Sequence, residues 1–168
     1  MNSSAMARHS RNTILPQGDC APLLETATRE VFEIMLGAQL KWPSEAEPPP
    51  VADLTAMVGL AGRICGVLSL RCEASSACRM AAKMLGVEAV DTADFGADSR
   101  DAIGEICNMV AGNFKAKLAG LVEGCVLSVP TVITGADYQL HMLADGTRTE
   151  LSFDFEGSPF WLTLDLHN

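Results

Sequence analysis

The sequence has few residues that could hold a metal ion. Its three histidines are His9, His141 and His167, and no two of its six cysteines are spaced C-x-x-C. Zinc sites, whether structural or catalytic, need ligands that cluster in the sequence and in space. We therefore predict that the chain has no metal site and supplies no cofactor of its own.

Positive charge and long apolar runs are also scarce. The chain has 12 Lys and Arg against 21 Asp and Glu, with a net charge of −9. Binding to a phosphate backbone requires a basic footprint, so we predict no nucleic-acid partner. No apolar run is long enough to span a membrane, and residues 1–18 lack the apolar core of a secretory signal. We expect a cytoplasmic protein with reduced, mostly buried cysteines.

The sequence does contain enough apolar material for one compact domain. It has 168 residues and is 48% hydrophobic, which suffices for a core without disulfides or metal. The polar segment 1–18 predicts a disordered tail, and residues 19–168 predict a single domain. Residues 41–50 predict a linker, because the three consecutive prolines at its end cannot continue a helix.

The order of the predicted elements indicates an α+β domain. Helical periodicity is present over 20–40 and 73–85, and Gly86 is placed to cap the second helix in a left-handed conformation. A third helix is predicted over 101–118, capped by Asp98 or Ser99. Strands are predicted at 52–60, 64–72, 125–135, 138–144, 147–155 and 159–167. This order predicts a largely antiparallel sheet with three helices packed on it.

The helix predicted at 101–118 has two distinct faces. At about 100° per residue, its apolar residues form one stripe, comprising Ile103, Ile106, Cys107, Val110, Phe114 and Leu118. The opposite side carries, within about 80° of arc, Asp101, Glu105, Asn108, Gly112 and Lys115. Glu105 and Asn108 are therefore surface neighbours one turn apart, and Gly112 leaves a flat spot for another backbone. Spacing alone favours an ordinary solvated helix face.

A weak internal repeat relates this helix to the first one. The same spacing of acid, polar residue and glycine occurs 75 positions earlier, at Glu30, Glu33 and Gly37. Each set is followed by strands, which suggests two related halves. The asparagine is present in only one of them.

The third helix and the residues after it resemble the chemotaxis phosphatases of the CheX and CheC group. Their signature is Asp or Ser, then Glu four residues on, Asn three further and Pro some twenty residues later. Here these residues are Asp101, Glu105, Asn108 and Pro130. The segments AIGEICNMVAGN, LSVPTVITG and GRICGVLSLRCEASSACRMAAKMLG are also CheX-like, so that the resemblance covers roughly residues 20–167. It implies a CheC/CheX-like pseudo-twofold domain.

The first half favours the CheX type within this group. CheC-type members resemble a duplicated phosphatase with the Glu and Asn pair on both helices, whereas CheX-type members carry the pair once. Here Glu33 occupies the position of the first-helix Asn. A carboxylate there would repel an anionic phosphoryl group. We expect the first helix to be catalytically silent.

The resemblance also implies a reaction and its residues. The family hydrolyses the aspartyl phosphate of a receiver domain, typically CheY-like, and the receiver supplies the phosphoryl group, Mg²⁺ and a lysine. Phosphoryl transfer depends mainly on positioning and charge stabilisation. Asn108 is expected to orient the attacking water and Glu105 to pair with the receiver lysine. The expected partner contacts are Asp101, Gly104, Gly112 and Lys115.

Other interpretations stay open at this stage. The chain could be a receiver-binding or flagellar-switch-related adaptor that has lost turnover, although an adaptor does not need a water-orienting amide. It could also be a structural homodimer without a receiver, and a homodimer is in any case expected from the resemblance. Asp101 could serve only the positive end of its helix, and Pro130 could mark a strand start or a bulge.

Overall fold

The computed structural model of the chain describes residues 20–42, 52–88, 96–118, 124–135, 138 and 146–167. The predicted tail, most of the predicted linker and most of the predicted strand 138–144 lie outside these residues. In chain order the described elements are α1 (Cys20–Leu36), β1 (Leu54–Ala61), β2 (Cys65–Cys72), α2 (Ala74–Leu85), α3 (Ala97–Leu118), β3 (Val126–Leu127), β4 (Thr131–Thr134), β5 (Gly146–Phe155) and β6 (Ser158–His167).

The strands form one antiparallel sheet. Its order is β3-β1-β2-β6-β5, and β4 pairs with the same edge of β1 as β3 does. The pairing of β2 with β6 at the centre joins the first half of the chain to the second. The α+β prediction, with three helices and a largely antiparallel sheet, is confirmed.

One face of the sheet is apolar and is covered by the helices. Leu70 and Leu162 are partners across β2 and β6, and both are fully buried. Phe32 of α1 stacks on Phe160 of β6 with ring centroids 4.9 Å apart. Truncating a buried Phe to Ala typically costs about 3–5 kcal/mol, so this contact contributes strongly to holding α1 on the sheet.

Two helix ends are set by left-handed glycines. Gly86 ends α2 with φ +68°, as predicted. Gly37 has φ +61° and ends α1 at Leu36, four residues before the predicted boundary. The N–H of Gly37 donates to the carbonyl of Glu33 at 3.1 Å, which is the hydrogen bond of an αL cap.

The start of α3 differs from the prediction. The helix begins at Ala97, so Asp98 and Ser99 lie inside its first turn and neither is the predicted cap. Ser99 is buried, and its Oγ lies 3.8 Å from Cys78 Sγ on α2. Ser99 therefore contacts α2 from inside the helix and does not cap it. The predicted apolar stripe is confirmed, because all six of its residues are buried.

A polar cluster joins α1 to the C-terminal half of α3. Lys117 Nζ donates to a Glu30 carboxylate oxygen at 2.8 Å, and Asn113 Nδ2 donates to the other oxygen at 2.9 Å. Asn113 Nδ2 also lies 3.2 Å from the carbonyl oxygen of Ala27. The hydrogen bonds from Lys117 and Asn113 lower the pKa of Glu30. Glu30 is thus an internal link between two helices.

Replacing Glu30 should destabilise the fold, most strongly near neutral pH. A carboxyl group whose folded pKa is lowered contributes stability above its unfolded pKa and loses that contribution as the pH falls through the folded value. We expect Glu30→Ala to lower the melting temperature near neutral pH. The effect should fade as the pH drops below the ordinary glutamate value of 4.5.

Glu25→Ala is the matched control for this experiment. Glu25 pairs with Arg29 within α1 at 2.8 Å, and such pairs on one helix stabilise by only a few tenths of a kcal/mol. Thermal unfolding of both variants across pH compares the two acids. Equal decreases in melting temperature for Glu30→Ala and Glu25→Ala would contradict the proposed link.

Candidate functional site

The candidate site is the face of α3 that points away from the core. Asp101 and Glu105 are exposed, while Asn108, Gly112 and Lys115 are half-buried. Residues three apart on a helix have Cβ atoms about 5–6 Å from each other. The carboxylate of Glu105 and the carboxamide of Asn108 can therefore reach one common point outside the helix.

Neither of these two side chains is engaged within the fold. Among the residues that the structure describes, no hydrogen bond or ion pair involves the side chain of Glu105 or Asn108. Glu30, which corresponds to Glu105 in the internal repeat, is held by Lys117 and Asn113. Of the two acids related by the repeat, Glu30 is therefore engaged within the fold, whereas Glu105 is available to a partner.

The helix-one counterpart of the site differs in a second respect. Glu33 is exposed near the end of α1, and Gly37 lies beyond the helix in a left-handed conformation. Gly112, in contrast, lies inside α3. The two sets of residues share a spacing in the sequence but do not form equivalent surfaces.

Gly104 lies close to another segment of the same chain. It is buried, and a Cβ added to it would lie 3.1 Å from Val132 Cγ2 and 3.8 Å from Pro130 Cβ. Gly104 therefore has an internal packing role, because the space beside it is filled by this chain's own Pro130 and Val132. Its expected contact with a partner stays a prediction. The absence of a side chain lets α3 lie close to Pro130 and Val132.

Pro130 lies at a β-bulge beside this contact. Along β3, Leu60 pairs with Leu127, whereas along β4 Ala56 pairs with Val132. The residue numbers of paired residues add up to 187 along β3 and to 188 along β4. The segment that runs from β3 to β4 therefore contains one residue more than the part of β1 opposite it. Bulges are common next to functional sites and accept proline. This explains the interruption of the strand predicted at 125–135 and agrees with the structural interpretation of Pro130.

Within the described ranges, no group of three His, Cys, Asp or Glu side chains could hold a metal ion. All six cysteines are free thiols, and only Cys65 is exposed. Burial raises the pKa of the Cys107 thiol to about 12, so this thiol is protonated at neutral pH and is a poor nucleophile. The α3 face presents the Glu105 carboxylate and the Asn108 carboxamide side by side.

Solved structures with the same fold include chemotaxis proteins. A CheX from Vibrio vulnificus matches with TM-score 0.73 and 20% identity over 91% of this chain and 99% of that one. A CheX from Desulfovibrio desulfuricans matches with TM-score 0.72 and 26% identity over 89% of this chain and 99% of that one. No curated protein sequence gives a significant match.

The fold is thus that of the CheX and CheC-like chemotaxis proteins. The family model for the chemotaxis phosphatase CheX matches residues 54–156, which include the whole of α3 and most of the sheet. The chain belongs to the CheX family. None of the helices in the described part of the chain is long and apolar enough to cross a membrane.

Sequence reasoning missed two long-range features beside the site, the link between α3 and α1 and the bulge after β3. Lys117 and Asn113 were not recognised as the link to α1, and Ser128 was not recognised as part of the bulge. The signal that was available for the bulge is Pro130, because a proline inside a predicted strand indicates an edge or a bulge. The α1–α3 link left no local signal, since its residues are more than 80 positions apart.

Replacing Gly112 by alanine should stabilise α3. Gly112 lies inside the helix, and among the described residues no atom would lie within 4 Å of an added Cβ. An interior Gly costs a helix about 1 kcal/mol relative to Ala, so Gly112→Ala should raise the free energy of unfolding by roughly that amount. Denaturant unfolding measures this free energy. Ala116→Gly, at an exposed position of the same helix, is the opposite change and should lower it. A loss of stability in Gly112→Ala would show that the position is not open.

Proposed function

We propose that the chain is a phosphatase that hydrolyses the aspartyl phosphate of a CheY-like receiver domain. The observation that carries this proposal is the Glu105 and Asn108 pair. One carboxylate and one carboxamide stand a turn apart on an outward helix face, with no engagement of either side chain among the described residues. Membership of the CheX family supports it.

A similar structure supplies a precedent for the partner. It is a CheX–CheY complex with BeF3 and Mg²⁺ from Borrelia burgdorferi, with TM-score 0.72 and 19% identity over 89% of this chain and 99% of that one. By analogy, the partner of this chain is a phosphorylated receiver that carries its own Mg²⁺.

In the proposed reaction, Asn108 positions the water. Its Oδ1 accepts a hydrogen bond from the water while its Nδ2 donates to a phosphoryl oxygen, which a neutral amide can do without adding charge. The water oxygen forms the new bond to phosphorus, and the bond to the receiver aspartate breaks. The aspartate leaves as a carboxylate, and the proton of the water ends on the released phosphate. The amide neither gains nor loses a proton.

In the same proposal, Glu105 sets the docking register. Its exposed carboxylate pairs with the receiver lysine, which is a charge-assisted contact with strong directional preference. Asp101, Gly112 and Lys115 lie on the same face of α3 and border the contact. The open space at Gly112 admits the receiver backbone. We further propose that the protein acts in the cytoplasm as a homodimer.

The direct test is dephosphorylation of the host's phosphorylated receivers with and without the chain. We expect at least one receiver to lose phosphate faster, and only while Mg²⁺ is present, because the metal belongs to the receiver. A chain that binds a receiver without accelerating the loss of phosphate would instead be an adaptor. Removal of Mg²⁺ by a chelator is the control. Faster loss of phosphate without Mg²⁺ would contradict the proposal that the reaction uses the metal ion of the receiver.

Substitutions at the two site residues should separate turnover from docking. Asn108→Ala should lower kcat on the order of a hundred- to a thousandfold, as does the loss of one pre-organised polar group elsewhere, with little change in KM. Glu105→Ala should raise KM and lower kcat. Both residues lie opposite the apolar stripe, so neither substitution should shift the melting temperature appreciably.

Glu33→Ala is the matched control for the α3 variants. Glu33 has the position in α1 that Asn108 has in α3 and is exposed, but the chain is proposed to work from α3 alone. Turnover should be unchanged in this variant. Glu30 is unsuitable for the purpose, because it holds α3 through Lys117. A large loss in Glu33→Ala, or an unaltered rate in Asn108→Ala, would contradict a single site on α3.

A further inference from the structure

Val129 is an apolar side chain that the fold leaves unburied. It is 81% exposed, more than any other large hydrophobic residue in the described part of the chain. A single exposed valine is ordinary on a protein surface. Val129 is distinguished by its position in the bulge and by the hydrogen bonds that hold the backbone there.

The backbone around Val129 is held by an uncommon set of hydrogen bonds. The N–H of Ser128 donates to the carbonyl of Gly59 at 2.9 Å, and the N–H of Gly59 donates to Ser128 Oγ at 2.8 Å. Ser128 Oγ donates in turn to the carbonyl of Val129 at 2.8 Å. Ser128 therefore fixes the bulge on β1, and Val129 is presented on a backbone that needs little ordering when a partner binds.

The bulge stands beside the catalytic face of α3. Val129 and Pro130 together oppose Val58, whose side chain is fully buried toward the helices. Pro130 in turn lies next to Gly104. Gly104 and Asn108 are four residues apart and are neighbours on the helix surface. Val129 is therefore linked to Asn108 through two neighbours, Pro130 and Gly104.

We propose that Val129, held by Ser128, is the apolar part of the surface on which the phosphorylated receiver docks. This rests on the proposed function, because the occupant is the receiver whose phosphoryl group reaches Asn108. Glu105 and Asp101 supply the charged part of the same surface on one side of Asn108, and Val129 supplies an apolar contact on the other. The receiver is expected to present an apolar side chain next to its phosphorylated aspartate.

The reason for an apolar contact is the shape of the α3 face. A single helix face is convex, so Glu105 and Asn108 alone bury little surface against a receiver. Interfaces usually gain most of their affinity from a few well-packed side chains next to such polar contacts. A rigid bulge that projects one valine beside the helix supplies such a contact at little entropic cost.

The test is binding of a receiver loaded with BeF3 and Mg²⁺, followed by kinetics with the phosphorylated receiver. We expect Val129→Asp to weaken binding and raise KM on the order of tenfold or more, with kcat at saturating receiver unchanged. Val129→Ser, which keeps the size small and adds no charge, should give a smaller shift in the same direction.

Val126→Asp is the matched control. Val126 is the same residue type three positions away and is 63% exposed. It pairs with Ala61, which is exposed and follows the buried Leu60, so the pair lies on the face of the sheet away from the helices. Val126 is therefore not expected to touch the receiver. Binding and KM should be unaltered in this variant, and the melting temperatures of all three variants should match that of the unaltered chain.

The outcomes separate this inference from the proposed function. If Val129→Asp binds the loaded receiver as tightly as Val126→Asp does, the docking role of Val129 is overturned, whatever the turnover. If Val129→Asp weakens binding but the unaltered chain shows no turnover, the docking role stands and the phosphatase proposal fails. A chain that binds none of the host's loaded receivers would overturn both.

Discussion

The packing of α3 on the sheet is the constraint on which the site depends. Ile103, Cys107 and Val110 are fully buried against the strands. A helix packed along one face cannot rotate about its axis, so the direction of its opposite face is also fixed. Because Glu105 and Asn108 lie opposite this stripe, burial of the stripe presents them to solvent together. Their presentation is therefore a consequence of core packing, and it needs no dedicated hydrogen bonds to the two side chains.

The two halves of the chain show how one spacing can serve two purposes. Glu30 and Glu105 are related by the repeat, yet the first carries a tight ion pair and the second carries none among the described residues. The donor of that pair is Lys117, and the residue 75 positions before it is Trp42, which is not a cation. One acid thus stabilises the helix pair, and the other remains available for a partner.

A glycine and a bulge shape the border of the site. Gly104 allows α3 to approach Val132 within van der Waals contact, and a single methyl group there would already crowd it. The inserted residue between β3 and β4 turns Val129 outward while Pro130 stays against the helix. The polar face of α3 and the edge of the sheet therefore form one continuous surface, on which charge and apolar area are placed side by side.

The sequence by itself determined the α+β class, the two faces of α3 and the candidate pair Glu105 and Asn108, because helical and strand periodicity and the family signature are encoded by residues close in sequence. It could not determine the internal role of Gly104, the bulge at Pro130 or the link from Glu30 to Lys117. Each of these depends on segments distant in sequence meeting in space. Ser99 is a further case, because it lies inside α3 and contacts α2 where the sequence predicted a cap. Tertiary structure decided these points because only packing specifies which distant side chains meet.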